Sequence, residues 1–135
     1  TGNMERYASL FTQGWPGNGQ FNIRRHGISS NRMYTGFYYD SSQYRVITDE
    51  NVLTTGWTYY TITFDGSSIE IYTDASPKTT SSNSDGLGHA SGDLYVGTGI
   101  VAGGSREWPG MIDEVMIFNR SLSQEEVTRL YNMYN

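Results

Sequence analysis

The run Gly110-Met-Ile-Asp-Glu-Val-Met-Ile-Phe118 reads as a β-strand that is apolar on both sides. With a two-residue period, Ile112, Glu114, Met116 and Phe118 point one way and Met111, Asp113, Val115 and Ile117 the other. Such a strand is expected at the centre of a sheet, covered on both faces. Asp113 and Glu114 then carry two adjacent carboxylates into an apolar setting, one per face. A buried carboxylate must be hydrogen-bonded, paired or metal-bound, so this stretch demands a specific partner.

Working outward, Leu122-Ser-Gln-Glu-Glu-Val127 reads as a helix start. Ser123 is the N-cap and Glu126, three residues on, completes a capping box, while Leu122 and Val127 occupy the positions of a hydrophobic staple. Val127, Leu130, Tyr131 and Tyr134 mark one face of a short helix that runs towards the C-terminus. Upstream, Trp57–Asp65 and Ser68–Asp74 form a hairpin closed by Asp65-Gly66-Ser67, a tight-turn composition. Leu94–Gly97 reads as a core strand. The earlier third supplies strands over Tyr7–Gln13, Gln20–Ile28, Arg32–Tyr39 and Tyr44–Thr48, with breaker-rich turns at 14–19 and 27–31. In the second of these, Phe21 and Ile23 alternate with Asn22, Arg24 and His26. Residues 75–92 are polar and rich in breakers, a surface loop with room for a short edge strand, and 98–110 form a second long loop.

The strand, Asn-Arg turn, capped helix and Leu-Tyr-Asn ending together resemble the C-terminal signature of the laminin G-like, concanavalin A-like jelly-roll family. Gly56-Trp-Thr-Tyr-Tyr-Thr-Ile-Thr-Phe-Asp-Gly66 with Ile69-Glu-Ile-Tyr-Thr-Asp74 is similar to its central hairpin, and Leu94-Tyr-Val-Gly97 to its next core strand. The resemblance runs from Asn51 to Asn132 and is looser before that. It implies an all-β chain, an antiparallel β-sandwich with one short C-terminal helix, in one domain over residues 1–135. The family's opening strands are not recognisable. Their absence implies an exposed sheet edge and a segment that is divergent, cut away or supplied by another chain. Thr1 is not an initiator methionine, and the chain reads as a processed or excised piece.

Composition agrees with strands joined by turns. The 135 residues are 36% apolar, with 11 Tyr, three Trp and five Phe. Helix formers are sparse before the last dozen residues. A net charge of −5 and a single lysine, Lys78, leave no basic patch, so nucleic acid is not an expected partner. The chain has no cysteine, which excludes a disulfide framework and thiol chemistry and fits a bacterial, archaeal or viral source. No apolar run reaches the roughly 18 residues of a membrane span.

Catalysis finds little support. A glycosidase needs two acids facing one cleft about 5 to 10 Å apart, and Asp113 and Glu114 are strand neighbours on opposite faces. His26 and His89 are the two histidines, and no serine lies in a nucleophile elbow. The glycines at 97, 99, 103 and 104 open no helix and cradle no phosphate. The family resemblance implies a structural Ca²⁺, with Asp113 in the matching position and hard oxygen ligands as that ion requires. Against it stands a plainer reading, in which Asp113 and Glu114 accept hydrogen bonds from backbone amides and arginines.

Glycan binding is the leading functional expectation, since sugars are held by aromatic faces and planar polar groups. The candidate ligand-binding residues are Trp15 and Trp108 on loops, Tyr38 with Tyr34 and Tyr39, and Arg24 with Arg25 and His26. Each also has an ordinary structural use in a β-sheet. The expected function is a non-catalytic extracellular or cell-surface module that binds glycans or a protein surface. The competing expectation is a subunit of a surface filament or pilus, built from identical chains and completed by a neighbour's strand. A glycoside-active enzyme is a distant third.

Overall fold

The computed structural model describes residues 7–14, 21–27, 31–39, 42–47, 52–82, 92–101 and 104–134; the side chains of 37–39, 42–47, 100–101 and 104–105 are not described. Among the described residues there are ten strands and one helix: β1 (Ser9–Gln13), β2 (Phe21–Arg25), β3 (Met33–Tyr39), β4 (Ser42–Ile47), β5 (Tyr60–Phe64), β6 (Ser68–Thr73), β7 (Ser76–Ser82), β8 (Leu94–Val96), β9 (Ile100–Val101), β10 (Gly104–Ser105) and α1 (Gln124–Tyr134). One sheet has the order β4-β3-β2-β1-β8, a second β5-β6-β7, and β9 pairs with β10. All pairings are antiparallel.

The two larger sheets form an antiparallel β-sandwich. Ile69 and Ile71 on β6 are fully buried, and Phe21 from the opposite sheet packs on them together with Tyr60, Ile62 and Phe64. Across the same gap the Thr35 and Tyr60 hydroxyls lie 3.3 Å apart. Burial pushes the Tyr60 phenol pKa well above its usual range. The apolar side of β2, Phe21 and Ile23, therefore faces inward, and Asn22 and Arg24 face outward.

The hairpin and the helix follow local chemistry. Asp65 Oδ1 accepts the Ser67 and Ser68 backbone amides at 2.8 and 2.7 Å, and Gly66 adopts a φ of 103°, which closes β5 onto β6. At α1 the capping box is formed in both directions: Glu126 N–H donates to Ser123 Oγ at 3.3 Å, and Ser123 N–H donates to Glu126 Oε2 at 2.9 Å. The staple residues Leu122 and Val127 are buried together against Tyr72.

Three expectations are corrected. Residues 110–118 are not a strand. Among the described residues the segment's hydrogen bond runs from the Glu114 N–H to Asp113 Oδ1 at 2.9 Å, and it belongs to no ladder. Ile112 and Met116 are half-buried, while Met111 and Ile117 are 77% and 69% exposed. A two-residue apolar period makes a central strand only where strands lie on both sides to pair with it, and none of the described strands does. Asp113 is accordingly exposed, not buried. Second, β8 is an edge strand whose Leu94 and Val96 are exposed, where a core strand was expected. Third, the polar run after Ala75 does carry an edge strand, but it is the seven-residue β7, paired along the whole of β6 and longer than the short one expected.

Candidate functional site

The outer face of the five-stranded sheet carries a polar and aromatic cluster. Cross-strand pairing sets Arg24 opposite Tyr34, Asn22 opposite Gly36 and Thr12, and Thr12 opposite Tyr95. The Arg24 guanidinium carbon lies 4.3 Å from the centroid of the Tyr34 ring and 4.8 Å from that of Tyr7. Tyr7 also carries the Arg106 guanidinium at 5.0 Å, and the His26 ring stacks on Tyr34 with an interplanar angle of 7°. Such cation–π contacts hold an arginine in one orientation and leave its N–H edge for hydrogen bonding.

Glycine makes room for this arrangement. A Cβ at Gly36 would lie 2.6 Å from the Tyr34 hydroxyl and 2.8 Å from Cζ, so the buried Tyr34 ring lies down over that residue. On the other flank, Gly97–Gly99 and Arg106 lie against β1. Ser9 N–H donates to the Arg106 carbonyl at 3.1 Å, and a Cβ at Gly99 would meet Thr12 Oγ1 at 3.1 Å.

Three buried polar atoms on this face, Thr12 Oγ1, Asn22 Oδ1 and Arg24 Nε, have no hydrogen-bond partner among the described residues. Sheet packing ordinarily leaves very few such atoms. The cluster combines a fixed guanidinium, buried acceptors and flanking rings.

The second feature is an apolar groove of about 1470 Å³ between the two sheets on the side of residues 108–118. Phe11, Phe21, Ile62, Phe64, Ile112 and Met116 are among the residues that line it. It exceeds the roughly 300 to 1,000 Å³ of a small-molecule pocket. The Tyr59 phenol at its rim has a raised pKa, from burial first and then from Tyr134 and Glu114.

The sequence-predicted residues divide between these places. Arg24 and Tyr34 are in the outer cluster, with His26 stacked beside them. Trp108 is half-buried at the groove, its backbone N–H donating to the Gly97 carbonyl at 2.8 Å and its indole close over Gly110. The structure therefore does not bring Trp108 and Arg24 together. Arg25 lies on the inner face. Trp15 lies outside the described residues, and Tyr38 is placed by its backbone in β3 without a described side chain. Asp113, the residue the family resemblance implies for calcium, is exposed, and its Oδ1 accepts the Glu114 N–H at 2.9 Å. Tyr7, Thr12, Asn22 and Arg106 were not singled out from the sequence. Alternation already put Asn22 on the Arg24 side of β2, but only the β1–β2 register brings Thr12 beside them.

Comparison with known proteins places this fold. A laminin G-type family model, described as the concanavalin A-like lectin/glucanases superfamily, matches residues 2–128. The chain belongs to that superfamily. No curated protein matches it significantly. Among solved structures it is similar to residues 221–444 of an S-layer domain-containing protein from Clostridium thermocellum, at 16% identity and a TM-score of 0.48. The match covers 96% of this chain and 64% of that one. Among the described residues no helix is long and apolar enough to cross a membrane.

Proposed function

We propose that this superfamily member is a non-catalytic recognition module of an extracellular or cell-surface protein, and that it binds glycans through the outer face at Arg24. The supporting observation is the coincidence, on one sheet face, of an arginine held against Tyr7 and Tyr34 with buried polar atoms that lack partners. Sugars offer what that arginine lacks, since the hydroxyls at a pyranose rim accept from a guanidinium edge. The test is an immobilised glycan array probed with the chain and with Arg24→Ala. Binding to some glycan, lost in the variant, is the expected result. Binding that survives the substitution moves the site elsewhere, and an array with no binder removes glycans as the ligand class.

A second reading, a subunit of a surface filament completed by a neighbour's strand, is supported by a different observation: the unfilled groove beside the unpaired segment 111–118. Light scattering on the isolated chain distinguishes the two. Concentration-dependent polymers favour the filament, and a stable monomer at high concentration opposes it.

A further inference from the structure

The hydrogen-bond phase of the β5–β6 hairpin shows which backbone groups of β5 point away from the sheet. Asp65 N–H donates to the Ser68 carbonyl at 3.3 Å, and at the far end Asp74 N–H donates to the Tyr59 carbonyl at 2.9 Å. Bonded and non-bonded pairs alternate along an antiparallel ladder. Thr61 and Thr63 are therefore bonded to β6, whereas the N–H and C=O of Tyr60 and Ile62 point outward. β5 ends its sheet on that side, and those groups have no partner among the described residues. The apolar groove runs along this edge, since Thr61 and Thr63 line it as well as Tyr60 and Ile62.

The two edges of the three-stranded sheet differ in composition. β7 carries Pro77 and Lys78, residues that discourage a further strand. β5, Tyr-Thr-Ile-Thr-Phe, has no proline, glycine or charge. Residues 111–118 form the opposite wall of the groove and join no ladder, so the slot takes a lone strand and not a second sheet. Such a strand needs apolar side chains at alternate positions. Residues 1–6, 15–20, 28–30, 40–41, 48–51, 83–91 and 102–103 hold at most one large apolar residue each, so the filler comes from a second chain.

The geometry points to β5 as the acceptor for a single strand of a neighbouring chain, hydrogen-bonded to Tyr60 and Ile62. One face of that strand meets Ile62 and the inner surface at Phe11 and Phe21, and the other runs level with Thr61 and Thr63. Cross-strand pairs favour apolar beside apolar and hydroxyl beside hydroxyl, so the donor alternates large apolar residues with Thr or Ser. This rests on the filament reading above and names its acceptor edge and donor pattern. The probe is a short synthetic peptide of alternating valine and threonine with lysine at each end, titrated into the unaltered chain while amide hydrogen exchange is followed. Exchange at Tyr60 and Ile62 should slow on binding, whereas Thr61 and Thr63, already bonded to β6, should change little. The same peptide N-methylated on the amides that face β5 should bind about tenfold more weakly, because its edge hydrogen bonds are gone. No binding, equal affinity for the two peptides, or unchanged exchange at Tyr60 and Ile62 overturns β5 as the acceptor. Polymers of the isolated chain in light scattering would then keep the filament reading through another contact, and a stable monomer would remove both.

Discussion

Gly36 is where the outer cluster is most easily disturbed by one atom. The Tyr34 ring occupies the space where a Cβ would stand, and both Arg24 and His26 stack on that ring. Gly36→Ala should therefore destabilise the chain by about 1–3 kcal/mol, the usual cost of overpacking. It should also loosen Arg24 and weaken ligand binding. Urea unfolding followed by Tyr and Trp fluorescence measures the first effect. A midpoint equal to wild type would mean that Tyr34 swings aside freely. At this scale the sequence was informative about direction and silent about company. Alternation in 21–28 showed that Asn22 and Arg24 share a face, whereas the approach of Tyr7 and Thr12 depends on the register of β1 against β2. Asp113 failed for the same reason. Its burial was inferred from the residues beside it in sequence, and exposure is decided by residues beside it in space.

At the scale of elements, the helix start and the β5–β6 turn were legible because each is stabilised by hydrogen bonds spanning three residues or fewer. Ser123→Ala removes one of the two capping bonds and should cost about 1 kcal/mol in urea unfolding. Glu126 makes its carboxylate bonds to Arg120 at 2.7 and 2.8 Å and accepts the Ser123 amide, and these hold its pKa at about 2, below the ordinary 4.5. A carboxyl depressed in the folded state contributes its stabilisation above the unfolded pKa and loses it as pH falls through the folded one. The difference in melting temperature between wild type and Glu126→Gln should thus be full near neutral pH, shrink below about pH 4.5 and vanish near pH 2. Because the pair is exposed, the difference should also shrink in high salt. A difference that persisted at pH 2 would assign it to the shape of the glutamate and not to its charge. Strand β7 was less legible, since its Ser- and Thr-rich run has no apolar alternation and takes its strand character from pairing with β6. Residues 110–118 show the converse, a strand-like pattern without a ladder to join. Glu114 there adopts a φ of 51°, a left-handed conformation that a β ladder would not permit.

For the whole molecule, the sandwich and the superfamily were readable from the order of motifs, because turn, hairpin and helix signals survive without knowledge of pairing. The open groove was not readable as a volume, because it depends on how the two sheets and residues 108–118 are placed in space. An apolar groove lined by aromatic side chains, with Met111 and Ile117 exposed beside it, favours association of the isolated chain. Met111→Lys combined with Ile117→Lys should lower its light scattering at high concentration and reduce binding of an apolar fluorescent dye. Sugar binding at the outer face should be unchanged, since the two lie on opposite sides of the five-stranded sheet. Unaltered scattering would mean that the groove does not drive association. The measurement that bears most directly on recognition by the outer face is a titration of the isotope-labelled chain with a glycan that the array identifies, followed by amide chemical shifts. Changes should cluster on Thr12, Asn22, Arg24, Tyr34, Gly99 and Arg106. Shifts confined to Tyr59–Phe64 and residues 111–118, or none at saturating ligand, would contradict a binding surface at Arg24.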